Sequence, residues 1–195
     1  MSDQVLREES ICSEPTILTV TQKEWSWLKK TDRGFSISDQ KDGTLMFMVD
    51  TKTAGKFRLV SDSSGDPVFK LERNVLSKGS GWILKSTSDD NMILLSIRHS
   101  WVRPHISDVT FGPKGSSEPS YTIKARDLWS GTLDIIELAT STVAATIQCT
   151  NMKSNILSSF KTSPPVWSVK ITQGIDVALQ SSYVPRTRSR KVIIL

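Results

Sequence analysis

Polar and apolar residues alternate one for one along much of this chain, in runs too short for anything but strands. In "VFKLER" (68–73), Phe69 and Leu71 alternate with Lys70 and Glu72. "YTIKAR" (121–126) sets Tyr121, Ile123 and Ala125 against Thr122, Lys124 and Arg126, and "VWSVKIT" (166–172) sets Trp167, Val169 and Ile171 against Ser168, Lys170 and Thr172. "KFRLV" (56–60) reads the same way, with Phe57 and Leu59 toward a core and Lys56 and Arg58 toward water. A period of two places one face of a strand on a core and the other in solvent.

The breaks between runs have turn chemistry. "KDGT" (41–44) carries Asp42-Gly43, a hairpin dipeptide, because glycine accepts positive φ at little cost. "DSSGDP" (62–67) and "TSDDN" (87–91) follow at intervals of about 22–24 residues, each between two short strands. This is a run of hairpins, a meander. "FGPKGSSEPS" (111–120) is the clearest loop, and "NMKSNILSSFK" (151–161) reads as a loop or a short helical turn. No long amphipathic helix is expected before residue 174. A meander of this length has edges to protect, and closure into a barrel removes them.

After the last clean strand, "GIDVALQSSYV" (174–184) is apolar without a period of two at Ile175, Val177, Ala178 and Leu179, the start of a buried helix. It turns polar at Gln180, and Pro185 ends it. Residues 1–14 are polar and expected to be disordered, 15–184 form one domain, and 185–195 are a basic and apolar tail.

With 195 residues, 37% hydrophobic and 23% charged, the chain has the composition of one globular domain rather than a disordered polymer. Its net charge of +5 sits in one place. Residues 1–99 hold 14 Lys+Arg and 14 Asp+Glu, while residues 100–195 hold 11 and 6. Four of those 11 are Arg186, Arg188, Arg190 and Lys191, and without them the net charge is +1. The basic character belongs to a tail, which argues against a nucleic-acid-binding body. The N-terminus has no secretory apolar stretch and no run is long enough for a transmembrane helix, so an intracellular protein with Cys12 and Cys149 as free thiols is expected.

Catalytic signals are absent from the sequence. His99 and His105 flank "SWVRP" and are too few for most metal sites; no Cys-x-x-Cys, Gly-x-Ser-x-Gly or phosphate-binding loop occurs. His99, in "ILLSIRHSW", reads as a strand residue satisfied locally. The six tryptophans read as core or rim packing; Trp101, near Arg98 and Arg103, is the one local candidate for a stacking platform.

"DGTLMFMVD", then "FRLVSDSSGDPVFKLERN", then a glycine-rich turn into "GWILKS", resembles the LURP-one-related, or tubby C-terminal-like, family. The matching positions are Val49-Asp50, Leu59, Asp62, Gly65, Phe69, Leu71, Arg73 and Trp82. The likeness covers about 35–98, thins over 121–150 and resumes at "WSVKITQGIDVAL". It implies a mainly β fold, a closed antiparallel barrel of about twelve strands around an apolar C-terminal helix. Here that helix is cut short. A divergent C-terminus and an incorrect gene model both stay open as reasons, and under either the barrel can lack most of its plug.

The resemblance implies a non-enzymatic binding module, without a cofactor, acting at a membrane surface on phosphoinositide or other anionic phospholipid headgroups. The alternative is a scaffold or regulatory protein that binds protein alone. The family's lipid-binding basic pair maps onto no motif here. Candidate anion or lipid contacts are Arg98 and Arg103, together with Arg186, Arg188, Arg190 and Lys191 of the tail. The tail reads as a solvated charge run, a membrane-surface patch or a nuclear-targeting segment. The expected location is cytoplasmic, peripheral at a membrane, with a nuclear alternative.

Overall fold

Gly43 and Gly65 have φ of 74° and 91°, the left-handed conformation for which glycine is suited, and each sits in a hairpin turn. In the first turn the Gly43 amide donates to the Asp39 carbonyl (2.9 Å) and the Thr44 amide donates to Asp42 Oδ1 (2.9 Å). In the second, Asp62 Oδ1 accepts from both Ser64 and Asp66 amides, each at 2.9 Å. The aspartates thus satisfy turn amides that have no ladder partner.

The computed structural model describes residues 14–22, 34–52, 57–74, 81–89, 92–99, 106–112, 118–126, 131–151, 166–172, 175–176 and 190–191. Its strands are β1 (Thr16–Gln22), β2 (Phe35–Asp39), β3 (Leu45–Lys52), β4 (Phe57–Asp62), β5 (Pro67–Asn74), β6 (Gly81–Ser86) and β7 (Ile93–His99). They continue as β8 (Ile106–Phe111), β9 (Tyr121–Ala125), β10 (Thr132–Glu137), β11 (Thr142–Cys149) and β12 (Val166–Ile171). Each pairs antiparallel with its sequence neighbour, and β1 pairs with β12, so twelve strands close into one barrel. The closing register aligns Leu18 with Val169 and Val20 with Trp167.

Two core clusters meet inside. One gathers Leu18, Ile37, Val109, Tyr121, Ile135, Val169 and Ile171; the other gathers Val60, Phe69, Leu71, Leu84, Leu94 and Leu95. Phe47, Val49, Ile97 and Phe111 pack against both. Residues opposite one another in an antiparallel ladder share a face, so these clusters fix which parity of each strand points inward.

Four hairpins carry a register shift near their tight turns: β2–β3, β4–β5, β6–β7 and β10–β11. The residues left over are Met46, Val68, Leu94 and Ala144, and every one of them lies in or against a core cluster. A bulge bends its strand and strengthens the twist, which is the curvature that closing a sheet demands.

Alternation fixes the inward residues correctly for β5, β9 and β12. For β4 the structure reverses it. Arg58 lies opposite buried Leu71 and shares a face with buried Val60, while Phe57 and Leu59 lie on the outer face opposite Glu72 and Lys70. The reason is the β4–β5 register, in which Val60 meets Phe69. Arg58 is accommodated inside by stacking, and outside Lys70 Nζ covers the Phe57 ring at 5.3 Å.

No helix occurs among the described residues. Ile175–Asp176, where a helix is expected to begin, is a two-residue strand paired parallel with Arg190–Lys191. The rest of the expected helix, like residues 1–13 and 152–165, lies outside the described residues.

Candidate anion site at the barrel mouth

The two ends of the barrel differ. At one end lie the hairpin turns 40–44, 63–66 and 138–141, the described turn residues 87–89 and 92, and residues 112 and 118–120 between β8 and β9. At the other, which we term the mouth, lie the strand ends Gln22, Phe35, Lys52, Phe57, Asn74, Gly81, His99, Ile106, Ala125, Thr132, Cys149 and Val166.

On β4 to β8 the inner face at the mouth is polar and aromatic. Arg58, on β4, places its guanidinium 5.4 Å from the Phe35 ring centroid and 4.9 Å from that of Trp82. Two aromatic faces hold one cation by quadrupole attraction and limit its rotamers. Arg73, on β5, lies directly opposite Trp82 on β6 and is exposed. On β7, His99 lies opposite buried Ser107 of β8, with Nδ1 and Oγ 2.7 Å apart. Neighbouring strands β4 to β8 therefore present Arg58, Arg73, Trp82, His99 and Ser107 to one space. Among the described residues, no Asp or Glu on the strands faces inward at this end.

The outer wall has the opposite character. Lys70 Nζ and Lys85 Nζ contact the two Glu72 oxygens at 2.9 and 2.8 Å. Hydrogen bonds from Lys85 first, then Lys70, hold the Glu72 carboxyl below the usual carboxylate range. Asp134 accepts from Arg126 Nη2 (2.7 Å) and Nε (3.0 Å) and from Thr146 Oγ1 (2.9 Å). Arg126 is the main reason its carboxyl lies below the usual range, with Thr146 adding to it and partial burial opposing. On this wall Glu72 and Asp134 are thus engaged by cations, while Lys124 and Lys170 are exposed.

Asp134→Asn is expected to cost about 1–2 kcal/mol at neutral pH, since charge-assisted hydrogen bonds are lost. Because the folded-state value is depressed, this stabilisation is present above the unfolded carboxylate value and vanishes as pH falls through the folded one. Denaturant titrations of both proteins should show a gap at pH 7 that narrows below about pH 4. A gap independent of pH removes this account.

Of the residues proposed from sequence, Arg98 is exposed on β7 but points outward, opposite Gly81 on one side and Asp108 on the other. It is not part of the mouth cluster. Arg190 and Lys191 form the two-residue strand that pairs with Ile175–Asp176. Arg103, Arg186, Arg188 and Trp101 lie outside the described residues. His99 is satisfied locally by Ser107. Cys149 is a free thiol, buried, donating to Asn151 Oδ1 at 3.5 Å. Among the described residues no group of three or more His, Cys, Asp or Glu is placed to hold a metal ion, and no helix is long and apolar enough to cross a membrane.

Sequence reasoning missed Arg58 and Arg73. Arg73 was within reach, since it continues the parity of Phe69 and Leu71. Arg58 needed the register, because "FRLV" offers apolar residues on both parities.

A closed single-sheet meander with this geometry also occurs in a crystallographically solved protein from Arabidopsis thaliana. The two are 17% identical, the match covers 90% of each chain and the TM-score is 0.60, so the fold is shared. The chain belongs to the LURP-one-related family, whose sequence profile matches residues 16–184. No curated protein matches it.

Proposed function

We propose that this is a non-enzymatic binding module of the tubby-like type that captures a phosphate-bearing lipid headgroup at the mouth of its barrel. The observation that carries this reading is the inward set Arg58, Arg73 and His99, gathered from three strands onto one inner face at the mouth. Arg58 is pre-positioned between two rings, so less rotamer freedom is lost on binding. A guanidinium offers paired donors that match phosphate oxygens. The family likeness supports the membrane part, because tubby-like domains include phosphoinositide binders.

The test is co-sedimentation with phosphatidylcholine vesicles, with and without phosphoinositide, at two salt concentrations. Pelleting should require the anionic lipid and fall as salt rises. Each arginine near an anionic leaflet contributes about 1 kcal/mol. Reversal of exposed Arg73 in Arg73→Glu should therefore weaken binding about tenfold or more. Unchanged pelleting of Arg73→Glu would remove the mouth from the proposal. No pelleting under any condition rejects a lipid ligand, and salt-resistant capture of a protein partner would favour the scaffold alternative.

A further inference from the structure

Charge is segregated along the barrel axis. The hairpin end carries Glu14, Asp39, Asp42, Asp62, Asp66, Asp89, Glu118 and Glu137, against Lys41 and Lys85, among the described residues. The mouth end carries Arg58, Arg73, Arg98, Lys124 and Arg126 among the described residues. Of the carboxylates near the mouth, Glu72 is engaged by Lys85 and Lys70, Asp134 by Arg126, Asp108 lies across from Arg98, and exposed Asp50 lies opposite Leu59.

The separation of the two ends decides what this does. Strands of 8 residues, such as β3, β5 and β11, rise about 3.3 Å per residue and tilt roughly 40° from a barrel axis, which places the ends about 20 Å apart. The Debye length at physiological salt is about 8 Å. A negative surface at the mouth attracts the arginines at short range, and carboxylates about 20 Å away are screened to below about a tenth. The same surface at the hairpin end meets the carboxylates directly. Side-on approach meets a wall of mixed sign, with exposed Lys124 and Lys170 among the carboxylates Asp50, Glu72, Asp108 and Asp134.

We infer that the protein docks on an anionic bilayer with its barrel axis upright, the mouth on the membrane and the acidic hairpins directed away. This rests on the reading of the mouth as a headgroup site. Arg98, which lies outside the mouth cluster, then acts as a rim contact with the leaflet, and so does Arg126 where its pairing with Asp134 leaves it exposed.

The experiment uses the full chain with Cys12→Ser, leaving buried Cys149 in place, and a fluorophore on one introduced cysteine. Gln148→Cys labels the mouth end of β11 and Ser64→Cys labels a hairpin turn; both positions are exposed. Vesicles contain phosphatidylcholine, phosphatidylserine, phosphoinositide and a headgroup-nitroxide lipid. Quenching should be several-fold stronger at 148 than at 64. Equal quenching, or stronger quenching at 64, overturns the orientation while leaving the headgroup reading to stand on pelleting and on Arg73→Glu. No pelleting of the unlabelled chain overturns both. As a label-free check, Asp66→Lys should leave pelleting within about twofold, since that position is screened from the leaflet; a large gain would mean that the hairpin end or the wall touches the membrane and would overturn the inference.

Discussion

Gly81→Ala is expected to lower the thermal midpoint by about 10 °C. Gly81 is buried at the start of β6, opposite Arg98. A Cβ built there falls inside the van der Waals envelope of the Ile97 carbonyl oxygen, and lies 3.3 Å from the Ile97 carbonyl carbon and 3.4 Å from Arg98 Cα. All three are backbone atoms of the paired strand, so no side chain can swing aside. The β6–β7 ladder must separate locally, and overpacking of this kind costs about 3 kcal/mol. In a domain of this size each kcal/mol shifts the midpoint by roughly 2–4 °C. The mouth should suffer with the fold, since Trp82 and His99 belong to the same two strands. Thermal unfolding followed by circular dichroism decides the matter: a midpoint within a degree or two of the parent would show that the ladder gives way easily.

Leu95→Ala should be still more costly, about 4 kcal/mol, with the denaturant midpoint lowered and its slope unchanged. Leu95 is 0% exposed and lies in register between Leu84 of β6 and Phe111 of β8. It belongs to the β4–β7 cluster, and Phe111 beside it packs against both clusters. Truncation leaves a cavity where the two halves of the interior meet, between side chains that the ladders on either side hold in register. Leu95→Met keeps the volume and should cost less than about 1.5 kcal/mol. If the two substitutions destabilise equally, the loss is not one of cavity formation.

The meander itself was legible because its causes are local. Period two and turn chemistry such as Asp42-Gly43 act within a few residues, and each hairpin they specify is present. The face of β4 was not legible. Both Phe57/Leu59 and Arg58/Val60 make acceptable inward pairs by pattern, and the β4–β5 bulge with the Val60–Phe69 register decides between them. Closure was reached only through the cost of exposed edges and a family likeness, because no short window records that β1 and β12 will meet. The same holds for the candidate site. Arg98 stood out because it is near Trp101 in sequence, yet pairing turns it toward the outer wall opposite Asp108. Arg58, Arg73 and His99 are brought together by ladder registers across β4 to β8, which is information no single segment holds.

The seam between β1 and β12 has a consequence for how the chain reaches its native state. Leu18 must wait for Val169, so the last ladder to form joins nearly the two extremes of the domain. Contacts of such long sequence separation slow folding, because loop entropy is lost before they form. During synthesis at roughly 5–20 residues per second, β1 to β11 can assemble while both margins of the incomplete sheet stay unpaired. Those margins, one of them bearing Leu18 and Val20, are templates for adhesion to another nascent chain. Arrival of "VWSVKI" ends that hazard for both margins in a single event.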